Sequence, residues 1–346
     1  MSDPNEHTDE SGELYEHYRF TVDAGQAPLR IDKYLFTKLS DASRNRIQNA
    51  AKAGNILVND QAVKPNYKVR PVDVITIVLA YPPRDTEIYP EDIPIHVVYE
   101  DKDILVINKE AGMVVHPGHG NFSGTLLNAL VFYFQNTAEN KAMDAKPFLA
   151  HRIDKDTTGI LLIAKNELIQ SKLARQFYDH TIARTYIALV WGDLKDDTGT
   201  ITGNIARSGR DRTVMAIYED EEIGRHAVTH YKVLERFGYV TLVECKLETG
   251  RTHQIRAHFK HIGHPLFNDA KYGGDEVLRG TTFTKYKQFV QNCFDMIPRQ
   301  ALHAKSLGFV HPASRENMVF DSELPEDLQA VLEKWRKYTY PHPQTP

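Results

Sequence analysis

Apolar residues recur along this chain with two periods, and the change from one to the other divides it. Ile31, Tyr34, Leu35 and Leu39 return at helical spacing, which predicts a short amphipathic helix. Ser43 can cap a second helix that carries Arg44, Arg46, Ile47, Ala50 and Ala51 and stops at Gly54. Residues 56–58 then predict a strand, Asn59-Asp60 a turn, Ala62-Val63 the return, and residues 74–78 a further strand. Tyr81-Pro82-Pro83-Arg84-Asp85 interrupts the pattern and predicts a linker. Beyond it strand-like runs dominate, at residues 104–109, 160–165, 183–192, 231–233, 239–247 and 307–312. Helical spacing returns at 126–134, at 168–178 and at Leu328, Val331, Leu332 and Trp335. It also returns at Ile255, Phe259 and Ile262, a helix that Thr252 can cap and Gly263 stops. The segment from the end of the 126–134 helix to Pro147 reads as a loop, and the end beyond Tyr340 as a loose tail.

Composition adds little until charge is located. At 346 residues, 41% hydrophobic and 25% charged, the chain has room for two or three domains with a real core. No run is long enough to cross a bilayer, and the acidic start lacks the apolar core of a secretory signal. Cys245 and Cys293 supply neither a disulfide framework nor metal spacing, so a reduced, cytoplasmic setting is expected. The net charge of −4 is unevenly spread. Residues 1–20 hold six acids against Arg19, as in a disordered acidic tail, whereas residues 30–84 hold ten cations against four acids. Two helices and a small sheet with a basic helical side suit contacts to a nucleic-acid backbone. The expected layout is a tail at 1–20, a small domain at 21–82, a linker at 83–93, a large domain at 94–340 and a tail at 341–346.

Candidate chemistry centres on residues 151–159, His-Arg-Ile-Asp-Lys-Asp-Thr-Thr-Gly, a polar bend leading into the apolar run 160–165. Asp154 and Asp156 could be turn residues, or an acid held at the mouth of a rigid strand. On the 255–262 helix Arg256 flanks the apolar stripe, and a half-buried arginine needs a partner. By composition Tyr186 reads first as a core tyrosine. His253, His258, His261 and His264 crowd one segment without ligand spacing, so no metal is expected. The glycine-rich loop 116–120 lacks the spacing of a phosphate-binding fingerprint and reads as a turn.

Residues 151–159 closely resemble the H-R-L-D-x-x-T-S-G signature of the RluA/RluD-type pseudouridine synthases, which isomerise uridine in RNA; Ile153 and Thr158 replace Leu and Ser. Residues 184–190 resemble the K-x-Y-x-A-L-V motif of that family, with Arg184 for Lys, and 250–258 resemble its G-R-T/S-H-Q-I/L-R-x-H motif. Residues 28–80 are similar to the ribosomal-protein-S4-type RNA-binding domain, and the resemblance as a whole runs from about residue 28 to 335. It implies an α+β protein, a small S4-like domain followed by a catalytic domain on a mixed, mainly antiparallel sheet with flanking helices. It implies Asp154 as the catalytic aspartate, Arg256 as its ion-pair partner and Tyr186 against the target base, taking part in proton handling. Arg152 would fill the stack that a flipped base vacates, with His151, Arg251 and His253 as further substrate-binding candidates. Arg44, Asn45 and Arg46 would lie on the RNA-facing helix. The implied enzyme needs no cofactor, works as a monomer off the membrane, and takes RNA as partner, 23S ribosomal RNA first among the candidates. An inert RNA-binding or ribosome-assembly protein with this fold is the competing reading.

Overall fold

The computed structural model describes residues 15–39, 42–79, 88–118, 121–211, 213–220 and 222–340. Most of the expected acidic tail (1–14), much of the linker (80–87), His119 and Gly120 of the glycine-rich loop, and the tail 341–346 lie outside them. The chain divides into two units, Met1–Glu87 and Ile88–Pro346.

The first unit contains β1 (Tyr15–Thr21), β2 (Leu29–Arg30), α1 (Ile31–Lys38), α2 (Arg44–Lys52), β3 (Ile56–Val58), β4 (Gln61–Ala62), β5 (Lys68–Val69) and β6 (Val74–Leu79). Strand order is β1-β6-β3-β4, with β2 and β5 paired separately. β1 corrects the expected tail boundary: Tyr15 to Thr21 pair antiparallel with β6, and Phe20 packs partly against the core of this unit. Ile31, Tyr34 and Leu35 of α1 and Ile47 and Ala51 of α2 close the core against Ile56, Val58 and Ile75, as the spacing predicts. In the first turn of α1 Asp32, fully buried, accepts two bonds each from Arg30 and Arg44 and one from Gln48. Burial opposes its ionised form, but these bonds win and hold its pKa far below the usual carboxylate range.

The second unit contains β7 (His96–Glu100), β8 (Ile104–Lys109), α3 (Leu126–Asn136), α4 (Ala138–Ala142), β9 (Phe148–Leu149), β10 (Thr158–Ala164), α5 (Glu167–Tyr178), β11 (Ala183–Trp191), β12 (Thr198–Arg207), β13 (Met215–Tyr218), β14 (Arg225–Arg236), β15 (Val240–Leu247), α6 (Gln254–His261), α7 (Thr284–Met296), β16 (Leu302–Val310), β17 (Asn317–Asp321) and α8 (Glu326–Thr339). Its sheet runs β13-β12-β14-β15-β11-β16-β10-β8-β7, with β9 and β17 off that path. All its pairings are antiparallel except β10 with β16. The central strand β11 is apolar throughout its second half because both faces are covered. Leu189 and Trp191 pack with Val290 of α7 and Leu328 and Trp335 of α8, while Ala188 and Val190 pack with Ile255 and Phe259 of α6. Each large side chain so buried contributes about 1.5–3 kcal/mol.

Several expectations change here. Residues 88–93, assigned to the linker, are tied to the second unit: the Glu91 N–H reaches the Asn128 carbonyl and its carboxylate accepts the Gly124 N–H. The expected loop before Pro147 contains the short helix α4. β7, β12, β13, β17 and α7 are strands and helix that periodicity did not show; β12, for example, buries only Ile201 and Ile205 of ten residues. Thr252 does not cap α6. His253 occupies the cap position in the left-handed region at φ 54°, and the Gln254 side chain accepts from Thr249 and the Arg251 N–H instead.

Candidate active site

The Asp154 loop is fixed by buried residues and backbone hydrogen bonds around it. Ile153 and Thr157 are buried, and the Thr157 N–H closes a turn onto the Asp154 carbonyl at 3.2 Å. Gly159 has φ +119°, and a Cβ there would stand 2.2 Å from the Ala304 carbonyl oxygen, so β10 can press on β16 only through a glycine. Arg299 grips Asp327 of α8 with two bonds and donates a third to the Asp156 carbonyl at 3.1 Å. The buried Lys109 ammonium, at the end of β8, donates to the carbonyls of Glu110, Met113 and Lys155. Burial lowers its pKa to about 8.

Asp154 meets Arg256 across this loop. Arg256 Nη1 donates to Asp154 Oδ2 at 2.9 Å, while its Nε and Nη2 bind both oxygens of Asp269 at 2.7 and 2.8 Å. The guanidinium also lies 5.0 Å from the Tyr272 ring centroid. Burial works against its charge, yet Asp269 and then Asp154 raise its pKa above the ordinary arginine value. Asp154 is 17% exposed, and its Oδ1 has His253 Nε2 at 3.9 Å as its ion-pair neighbour. His253 Nδ1 bonds the Tyr272 hydroxyl at 3.0 Å, which in turn accepts the Met215 N–H of β13. Burial, the largest influence on His253, lowers its pKa.

Two cavities of about 690 and 640 Å³ meet at Asp154, Arg152, His253 and Arg256. The larger one also holds Tyr186, Arg184, Arg225 and Arg251, and has Asp154 as its acidic residue. Burial pushes the Tyr186 phenol up to about 12, so it stays protonated at neutral pH. Asp154, Arg152, Tyr186, Arg251, His253 and Arg256 are thus brought to one cavity.

His151 lines it too, but its geometry is architectural. Its Nε2 accepts the Leu162 N–H at 3.0 Å and its ring stacks on Phe177 at 4.6 Å, with burial lowering its pKa to about 3. In the first unit Arg44 is bound to Asp32 with its side chain 44% exposed, and Asn45 is exposed. The Arg46 side chain lies outside the described residues. Sequence reasoning missed Asp269, Tyr272 and Lys109 as parts of the site; only the unmet charge of a buried Arg256 could have signalled that a second acid was needed.

The crowded histidines separate: His258 bonds Thr229 and His264 bonds the Trp191 carbonyl. Among the described residues Asp101, Asp103 and His311 bring ligand-type atoms within 4.8 Å of one another. His311 Nδ1 accepts the Ala313 and Ser314 N–H groups, which leaves the ring proton on Nε2 facing Asp101 and opposes a cation there.

Comparison with known proteins agrees with this layout. Residues 103–261 match the RNA pseudouridylate synthase family and residues 29–75 the S4 domain. The chain is 46% identical to an uncharacterized RNA pseudouridine synthase of Chlorobaculum parvum, over 90% of this chain and 95% of that one. It is 39% identical to the ribosomal large subunit pseudouridine synthase D of Zymomonas mobilis, over 88% and 92%. The fold is also that of human RNA pseudouridylate synthase domain containing 4, with a TM-score of 0.55, 23% identity, and 70% and 93% of the two chains covered.

Proposed function

The chain belongs to the RNA pseudouridine synthases, and from that premise we propose that it isomerises specific uridines of large-subunit (23S) ribosomal RNA in the cytoplasm, with Asp154 as the catalytic carboxylate. The observation that carries this reading is the Asp154–Arg256 pair, joined across 102 positions of sequence and opening onto a cavity.

Pseudouridine formation breaks the bond between N1 and C1′, turns the base, and joins C5 to C1′. A carboxylate must therefore stay ionised beside the sugar, and an adjacent permanent cation favours that form. Arg256 occupies Asp154 Oδ2 alone, which leaves Oδ1 for the nucleotide. Asp269 holds Arg256 in place, so the guanidinium stabilises Asp154 without being drawn wholly onto it. Reaching C1′ requires the base to leave its stack, at a cost of a few kcal/mol. Tyr186 recovers part of that, base–aromatic stacking being worth about 1–3 kcal/mol. Its phenol, held protonated, is suited to give its proton to N1 and to regain one from the hydrogen that C5 loses. Arg152, exposed where the cavities meet, is placed to fill the gap in the stack. The S4 unit adds affinity that is sensitive to salt and tolerant of sequence.

Asp154→Asn should abolish pseudouridine formation while RNA binding stays within about twofold of wild type. Chemical labelling and primer extension on rRNA from a deletion strain, complemented by either gene, reads the first; a filter-binding titration reads the second. Normal modification by the variant would end the proposal. Full growth complementation without modification would favour the inert RNA-binding reading.

A further inference from the structure

Arg184 and Arg225 line the larger cavity together with Arg251, a substrate-binding candidate, each close enough to the next in the order 184, 251, 225 to act on its charge, and the bond-making and bond-breaking steps use none of them. Arg184 is the innermost, 9% exposed. Its Nη2 bonds the carbonyls of Leu247 and Glu248, and its Nε is buried with no partner. Arg251 is half-buried and donates to the His226 carbonyl, and Arg225 is exposed at the start of β14. Among the described residues none of the three forms an ion pair. The carboxylate that lines the same cavity, Asp154, is paired with Arg256 instead.

This arrangement is costly on its own. Burial lowers the pKa of Arg184 and Arg251, and in each case a neighbouring arginine of the row lowers it further. An isolated buried guanidinium without an anion is destabilising, and like charges in series add to that. The fold nevertheless makes room for it. A Cβ on Gly250 would stand 2.4 Å from Arg184 Nη1, so the loop that leads into α6 carries a glycine where the guanidinium lies.

We propose that this row is a phosphate clamp: it seats the phosphodiester backbone of single-stranded RNA next to the target nucleotide, with Arg184 as the inner contact and Arg251 and Arg225 as the outer ones. The clamp rests on the RNA reading of the cavity. The phosphates supply the missing anions, and their seat fixes the path along which the strand crosses Asp154.

Fluorescence anisotropy of the full chain with a labelled single-stranded uridine 12-mer, from about 50 to 300 mM KCl, tests the clamp without requiring turnover. Each lost phosphate contact flattens the plot of log affinity against log salt by about 0.7 for a single strand. R225Q/R251Q should therefore lose about 1.4 in slope, with a deficit of tenfold or more at low salt that narrows at high salt. Gly250→Ala, which removes no charge, should shift affinity the same way by displacing Arg184, and both variants should raise KM on rRNA more than they lower kcat. Wild-type salt dependence in both variants would overturn the clamp. So would an equal loss at every salt concentration, the mark of structural damage. A wild-type chain that binds the 12-mer with the expected salt dependence, yet forms no pseudouridine in rRNA, would end the proposed function and leave the clamp standing.

Discussion

Arg256 serves two carboxylates at once, and the division is unequal: Asp269 takes two of its nitrogens and Asp154 one. Breaking a buried pair from one side costs about 3–5 kcal/mol, because the remaining charge stays buried. Asp269→Asn should therefore lower the melting temperature by on the order of 10 °C. Under the proposed function it should also cut kcat at least tenfold, since Arg256 is then free to swing fully onto Asp154 and occupy the oxygen assigned to the nucleotide. Differential scanning calorimetry and steady-state assays on rRNA measure the two effects, and an unchanged kcat would show that Asp269 does no more than neutralise. Lys109 illustrates the same economy of charge. Its one ammonium ties three carbonyls, one of them in the Asp154 loop, and so converts a buried cation into backbone geometry.

At the scale of elements, the Asp154 loop depends on how closely β10 approaches β16. Their parallel contact involves only Thr158 with His303 and Gly159 with Ala304. Beyond it the His151 ring takes up the Leu162 N–H. Gly159→Ala combines a left-handed backbone with a Cβ inside the Ala304 carbonyl. Strain and overpacking each cost about 1–3 kcal/mol, so a loss on the order of 4 kcal/mol is expected in urea denaturation. Activity should fall further than that loss accounts for, because Asp154 moves with the strand. A midpoint within error of wild type would contradict the close approach. β13 has a less obvious part: its Met215 N–H holds the Tyr272 hydroxyl that bonds His253, so a strand at the sheet edge helps fix a side chain at the centre of the site.

Over the whole second unit, burial keeps three histidines neutral, lowering His151 to about 3 and His258 and His303 to about 4. The unfolded chain takes up protons at these groups below about 6.5, whereas the folded chain does so only near 4 and 3. Stability is thus complete above pH 6.5 and is lost as pH falls towards the folded values. At pH 5.5 each histidine contributes roughly 1.4 kcal/mol to the loss, about 4 kcal/mol together. Urea melts at pH 7.5 and 5.5 should differ by that order, and His151→Gln, which keeps an acceptor for the Leu162 N–H, should remove about a third of the difference. Equal stability at the two pH values would mean that these rings are more solvated than their packing indicates.

Local pattern was enough to specify much of this protein. The period of 31–51 determined two helices over a small sheet, and the uninterrupted apolar runs 104–109, 160–165 and 183–192 determined strands covered on both faces, because neighbouring residues alone set which faces must leave water. The motif around Asp154 and the one around Arg256 were legible for the same reason: each is a continuous run of residues. What tertiary structure alone decided is everything that depends on a partner distant in sequence. Nothing near Asp269 marks it as the second acid on Arg256, nothing in Arg184 shows that it would be buried against Gly250, and the half-exposed β12 and β13 become strands only when β14 offers an edge to β12 and β12 offers one to β13. Hydrophobic period is a property of neighbours along the chain, whereas ion pairing and strand edges depend on residues brought together from far apart, and only the fold brings them together.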